Sequence, residues 1–295
     1  MGRGDIEMVY NRNSSGKGRM GRRDGMTVCI AAACEGSRNV VVGADRMLTI
    51  GTLSLEFQHP NPKIVPLSDS CVMMTAGPAL RDIELQKYVR RALAGVLGVA
   101  VPVIVDKVKE GYQEARRGKI EELYLKPRGL TLDRFLQAGQ ALIQDAAMVI
   151  DEQLATYDYE LDVLVAGVDA DGAHIYEIVN PGTAECFDSI GYHAIGSGSP
   201  HAASSFIEEG YSSYSATLQQ AMWSVFQAKK RAERAPGVGE VAVFAVIEQG
   251  RLLKFPANAL SKLGELYEEV LKGREECLRR LMPQLASVPK PEERL

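Results

Sequence analysis

Short apolar runs of strand length alternate with turn signals over the first third of the chain. TVCIAAAC (27–34) and VVVGAD (40–45) flank the polar turn EGSRN, which predicts a hairpin. PKIVPLSDS (62–70) and CVMMTAG (71–77) predict a second strand pair. The period then changes. Leu85, Tyr88, Val89, Ala92, Leu93, Val96 and Leu97 recur at helical spacing from about Leu80. A basic, irregular helical stretch follows to about Leu125 and ends at KPRG. A further helix is predicted from Thr131, a candidate N-cap, with one stripe through Leu132, Phe135, Leu136, Leu142, Ile143, Ala146, Ala147 and Ile150. Strands return at LDVLVAGVD, AHIYEIVN and YHAIGSG, the first two joined by a tight ADG turn. Helices over 200–208 and 215–232, strands at GEVAVFAVIEQG and RLLKF, and an amphipathic helix over about 257–283 complete the pattern.

Strands cluster in antiparallel pairs instead of alternating with helices, which predicts an α+β fold of two antiparallel sheets with helices on their outer faces. VLVAGV and VAVFAVI are apolar throughout, as strands buried on both faces should be. Three regions are expected. Residues 1–25 form a disordered leader. Residues 26–255 form one domain with a helical insertion near 98–130. Residues 256–295 form a helix and tail.

The chain has 295 residues, a net charge of −4 and no basic footprint for nucleic acid. The leader is different: six basic against three acidic residues and six glycines, with no apolar core. That excludes a secretory signal. The longest apolar run, ALAGVLGVAVPVIV, is too short to span a membrane. Five dispersed cysteines without a CxxC pair read as reduced thiols of a cytoplasmic protein.

The common catalytic motifs are absent. His59, His174, His193 and His201 have no metal-ligand spacing, and no cofactor is implied. There is no Walker motif, no GxGxxG and no GxSxG, since GSGSP carries glycine where the elbow serine would stand. Gly196–Ser199, between a strand and a helix, could cradle a phosphate or be a tight turn.

The ordered set MTVCIAAAC, VVVGADRMLTIG, PKIVPLSDSCVMMTAG, VLVAGVDADGAHIYEIVNPG, AIGSGSPHA and AKKRAERAPGVGEVAVFAV resembles a proteasome β-type subunit, an N-terminal-nucleophile (Ntn) hydrolase, over about residues 26–250. The resemblance implies a four-layer α-β-β-α sandwich and a threonine-type peptidase or amidohydrolase. It implies a peptide or amide substrate and a homo-oligomer, with a ring as one form. A partner ATPase is left open. A hydroxyl needs an adjacent base, and a free α-amine, titrating at about pH 8, can take its proton. By the resemblance Thr27 is the nucleophile and Asp45 and Lys63 tune it. Ser197 holds the amine, and Gly77, fourteen residues after Lys63, supplies the oxyanion N–H. The family's aspartate and serine after AKxR are replaced here by Ala232 and Ala235, with Glu233 alongside.

The strand pattern allows two registers. One makes Thr27 the nucleophile; the other places Gly25 at that position. Cys29, on the same face as Thr27, is a weaker nucleophile candidate and reads better as a core thiol. Translation from Met26 and loss of that methionine would leave Thr27 first. A retained leader would instead block it and favour a catalytically inactive structural or interaction subunit.

Overall fold

The computed structural model describes residues 27–50, 55–58, 63–95, 98–138 and 144–288. The leader, His59 and the end of the tail lie outside the described residues. Two five-stranded sheets, antiparallel throughout, carry the fold. The first contains β1 (Cys29–Cys34), β2 (Asn39–Asp45), β10 (Tyr192–Ile195), β11 (Ala242–Glu248) and β12 (Arg251–Lys254) in the order β10-β1-β2-β11-β12. The second contains β5 (Val65–Ser68), β6 (Cys71–Ala76), β7 (Asp162–Asp169), β8 (Gly172–Val179) and β9 (Thr183–Cys186) in sequence order. A separate hairpin joins β3 (Met47–Ile50) to β4 (Leu55–Gln58).

The two-residue period of a strand sorts each sheet's side chains into two faces. Cys29, Ala31, Val42 and Ala44 pack with Val72, Met74, Leu164 and Ala166 in a cluster drawn from both sheets. The alternate residues Ile30, Ala32 and Val41 pack with Phe206 and Val225, on α5 (Ser199–Glu209) and α6 (Leu218–Ala232). In the second sheet Met73, Val163 and Val165 pack with Leu85, Val89, Ile104 and Tyr112, on α1 (Ala79–Ala92) and α2 (Val101–Ile120). Apolar groups therefore line both faces of each sheet. This accounts for the unbroken apolar runs of β1, β2 and β7, which a one-sided sheet would interrupt with polar residues.

The helix ends follow local chemistry. Thr217 and Gln220 form a reciprocal capping box at the start of α6, with Gln220 N donating to Thr217 Oγ1 at 3.2 Å and Thr217 N to Gln220 Oε1 at 2.8 Å. Asp169 Oδ2 accepts from Val101 N at 2.7 Å and anchors the start of α2 to the end of β7.

Several expectations change. The stretch read as irregular and basic is the regular 20-residue α2, with its charges on the solvent side of a buried face. The stripe predicted from Thr131 does not hold together. Phe135 of α3 (Leu132–Ala138) and Ile150 of α4 (Gln144–Thr156) are buried, but Leu136 is exposed, and Leu142 and Ile143 lie outside the described residues. The first helix ends at Ala92, before the predicted Val96 and Leu97, which are also outside. The β3–β4 hairpin and β9 were not predicted. Each strand has four residues, too few for a period to register. No described helix is long and apolar enough to cross a membrane.

Candidate active site

The register of the first sheet fixes the geometry around Thr27. β1 pairs with β2 so that Cys29 faces Ala44, and with β10 so that Cys29 faces Ile195. Extended toward the start of the chain, the same registers set Val28 against Asp45 and Thr27 against Ser197. Side-chain parity aims Thr27, like Cys29, into the space between the sheets. Lys63 enters that space from the residues before β5.

Four of the five predicted residues meet there. Thr27 Oγ1 donates to Asp45 Oδ1, and Lys63 Nζ donates to Thr27 Oγ1. Lys63 Nζ also donates to Asp45 Oδ1 at 2.8 Å. Thr27 N donates to Ser197 Oγ at 3.3 Å, and Gly198 N donates to Thr27 O at 3.2 Å. Thr27 is thus the residue set beside Lys63 and Asp45; Gly25, the alternative, lies outside the described residues. The Thr27 nitrogen is a peptide N–H joined to Met26 and stands in for the amine that removal of Met26 would create.

The pair is secluded: the Asp45 side chain is 0% exposed and that of Lys63 9%. Charges so placed need every lone pair and proton satisfied. Asp45 meets that condition with five donors. Oδ1 accepts from Lys63, Thr27 Oγ1 and, at 3.1 Å, Val28 N. Oδ2 accepts from Met47 N at 3.1 Å and Gly239 N at 3.2 Å.

Gly77 lies in the turn from β6 to α1, two residues past Thr75, whose carbonyl accepts from Cys29 Sγ at 3.5 Å. Its φ of 147° and the 2.4 Å that would separate a Cβ from Glu160 O restrict the position to glycine. Cys29 itself is a core thiol. Burial pushes it up to about 12, which leaves it protonated and poorly nucleophilic near neutral pH.

The replaced positions are apolar in fact as well as in sequence. Ala232 is 0% exposed and Ala235 6%. A Cβ on Gly198 would meet the Ala232 Cβ at 2.9 Å, so no larger group fits between them. Glu233 does not turn toward Thr27; its carboxylate takes Lys229 and Lys230. In the Gly196–Ser199 turn, read as a possible phosphate cradle, two of the backbone donors are engaged: Gly198 N with Thr27 O, and Ser199 N with Gly196 O at 3.0 Å.

Two residues of this region escaped the sequence reading. Lys229, 1% exposed, donates to Glu233 and to Glu240 O, fixing the loop that delivers Gly239 N to Asp45. Burial lowers its pKa while Glu233 opposes the shift. Asp82, in the first turn of α1, accepts from Gln86 Nε2 at 3.0 Å through Oδ2, and its other oxygen is buried beside the Thr75 side chain. Burial raises its pKa, and Lys63 is among the groups that oppose the rise. Five residues after Gly77, Asp82 reads in sequence as an ordinary acidic first-turn residue. Among the described residues no group of three or more His, Cys, Asp or Glu is placed to hold a metal ion. No protein-family model and no curated protein matches the chain.

Proposed function

We propose that the chain is a proteasome β-subunit-like Ntn hydrolase, a threonine-type peptidase or amidohydrolase that uses Thr27 once Met26 is gone. The stacking of helices, sheet, sheet and helices supports reading the fold as that family's four-layer α-β-β-α sandwich. The observation that carries the functional reading is the buried contact of Thr27 Oγ1 with both Lys63 Nζ and Asp45 Oδ1.

The chemistry follows from those atoms. With Met26 removed, Thr27 N is a free amine whose neutral form accepts the hydroxyl proton. Lys63 stabilises the developing alkoxide, and Asp45 holds Lys63 in place. Attack on the amide carbon forms a C–O bond and puts negative charge on the carbonyl oxygen, which Gly77 N–H would receive. Collapse breaks the C–N bond, and the leaving amine takes the proton held by the α-ammonium. The acyl ester on Thr27 is then hydrolysed by water, with the α-amine again acting as base. Ser197 supports the amine throughout.

The test uses protein whose first residue, by intact mass, is Thr27. It should cleave fluorogenic peptide or aryl amides and be labelled at Thr27 by an electrophile that traps vicinal hydroxyl and amine. Thr27→Ala should lose both. Amidase activity that survives Thr27→Ala would overturn the reading. A catalytically inactive structural subunit is the second reading, and the apolar pair Ala232 and Ala235 favours it, because only Ser197 is placed to hold the amine. That reading requires native protein that keeps its leader and resists labelling.

A further inference from the structure

The helix α7 (Ala257–Leu281) leaves the body of the protein after about three turns. Leu260, Leu263 and Tyr267 pack against the cluster beneath α6. From Glu268 to Val288 every described residue is exposed. Yet the outer part of the helix is not a solvated polar rod. Val270 is 51% exposed, Leu278 51% and Leu281 42%, and these side chains continue the stripe that Leu263 and Tyr267 begin. An isolated helix in water is marginal, and in proteins its stability comes from packing of such a face. Among the described residues Val270 alone has a neighbour from the body, lining a shallow groove with Trp223 of α6, and nothing packs on Leu278 or Leu281.

The charges indicate what does. Five acidic and five basic residues cancel over the helix. The half before Val270 holds Glu265, Glu268 and Glu269 against Lys262. The half after it holds Lys272, Arg274, Arg279 and Arg280 against Glu275 and Glu276. This order suits the helix's own dipole. It also makes the face complementary to itself when reversed. A neutral helix without Trp or Phe on its stripe has little to offer an anionic lipid surface.

We propose that two copies of this chain pair their α7 helices antiparallel about a two-fold axis near Arg274. This register sets Tyr267 opposite Leu281 and Val270 opposite Leu278. It brings Glu268 beside Arg279 on one flank of the stripe and Glu269 beside Arg280 on the other. The contact is isologous, so each pairing occurs twice. Arg274, alone among the charges in lying on the stripe, stands on the axis against its own copy, and each guanidinium has the other chain's Glu275 next to it; a polar group there fixes register at some expense of stability. The proposal makes no use of Thr27.

Sedimentation velocity of the full chain tests it. The double variant Leu278→Glu, Leu281→Glu should have half the wild-type mass while the near-ultraviolet circular dichroism of the folded body is retained, since both side chains lie outside the core. Its association should weaken at least about 100-fold, because both leucines leave the buried stripe. Register has its own readout. The register brings residue 270 onto the same flank as the second copy's Cys277 and within one residue of its level, so Val270→Cys should give a disulfide-linked dimer under mild oxidation, whereas the wild type should not. Wild-type mass retained in the double variant would overturn the proposal. So would a monomeric wild type, including one that co-sediments with phosphatidylserine vesicles. A Val270→Cys protein that stays uncrosslinked would overturn the register.

Discussion

Asp45→Asn and Lys63→Met break the same ion pair, but the structure makes their consequences unequal. Lys63→Met removes one charged donor. Asp45 then keeps Thr27 Oγ1, Val28 N, Met47 N and Gly239 N, and the new side chain fills similar volume. The expected loss is about 2–3 kcal/mol, the worth of one hydrogen bond to a charged group. Asp45→Asn leaves the Lys63 ammonium secluded without its counter-charge, a loss of about 3–5 kcal/mol. It also turns an NH2 group toward donors. With Oδ1 kept for its three partners, the amide nitrogen faces Met47 N and Gly239 N, which adds about 1–3 kcal/mol for each stranded donor. These groups touch, so the losses do not simply add. Before that non-additivity the ranges leave a gap of at least about 2 kcal/mol between the variants, roughly thirtyfold in the folding constant. Urea denaturation of both variants at pH 7, fitted by linear extrapolation, measures it. An Asp45→Asn protein no less stable than Lys63→Met would refute the five-donor account. Amidase activity could not make this distinction, because the proposed chemistry loses it in both.

Burial raises the pKa of Asp82, so the folded chain holds that proton to higher pH than the unfolded chain, and stability falls as pH rises through the interval between the two values. Asp82→Asn should therefore raise the urea midpoint more at pH 7 than at pH 4; an equal gain at both would contradict this. The hydrogen bond that His174 donates to Asp188, aided by Asp169, raises the pKa of His174 despite its burial. That contribution is fully present below the ordinary value of about 6.5 and is lost as pH rises through the folded value, so His174→Gln should destabilise more at pH 6 than at pH 9. Of the five thiols only Cys186 and Cys277 are exposed. A thiol reagent should modify no more than those two in native protein and reach Cys29, Cys34 and Cys71 only on unfolding.

The fold was legible wherever a period ran long enough to count. β1, β2, β7 and α6 have their partner faces written into their side chains, whereas α2, though long, reads as irregular because charges interrupt its stripe. β3, β4 and β9 are too short to register; β5, β10 and β12, equally short, are marked by the longer runs around them. Leu136 shows that an apolar residue at helical spacing can still end in solvent. The grouping of Thr27, Asp45, Lys63 and Ser197 was legible only through the family resemblance; the strand pattern leaves two registers open, and it is the pairing of β1 on both edges that ties Thr27 to Asp45 and Ser197. The partners that hold Asp45 were not. Met47 N and Gly239 N are backbone groups, and any residue type but proline would provide them. Lys229 looked like one basic residue among several at a helix end, and only the loop folded over it makes it a buried anchor.

The contacts described for Thr27 all run forward in the chain, to Asp45, Lys63, Ser197 and Gly198. The nitrogen is already seated while it is still a peptide nitrogen. Under the proposed chemistry, excision of Met26 would therefore move no strand and close no gap. It would change one atom from a group that cannot take a proton into one that can. Maturation would be a change in basicity imposed on a finished scaffold, so an unprocessed chain and its processed form should unfold alike while differing in everything that depends on that proton.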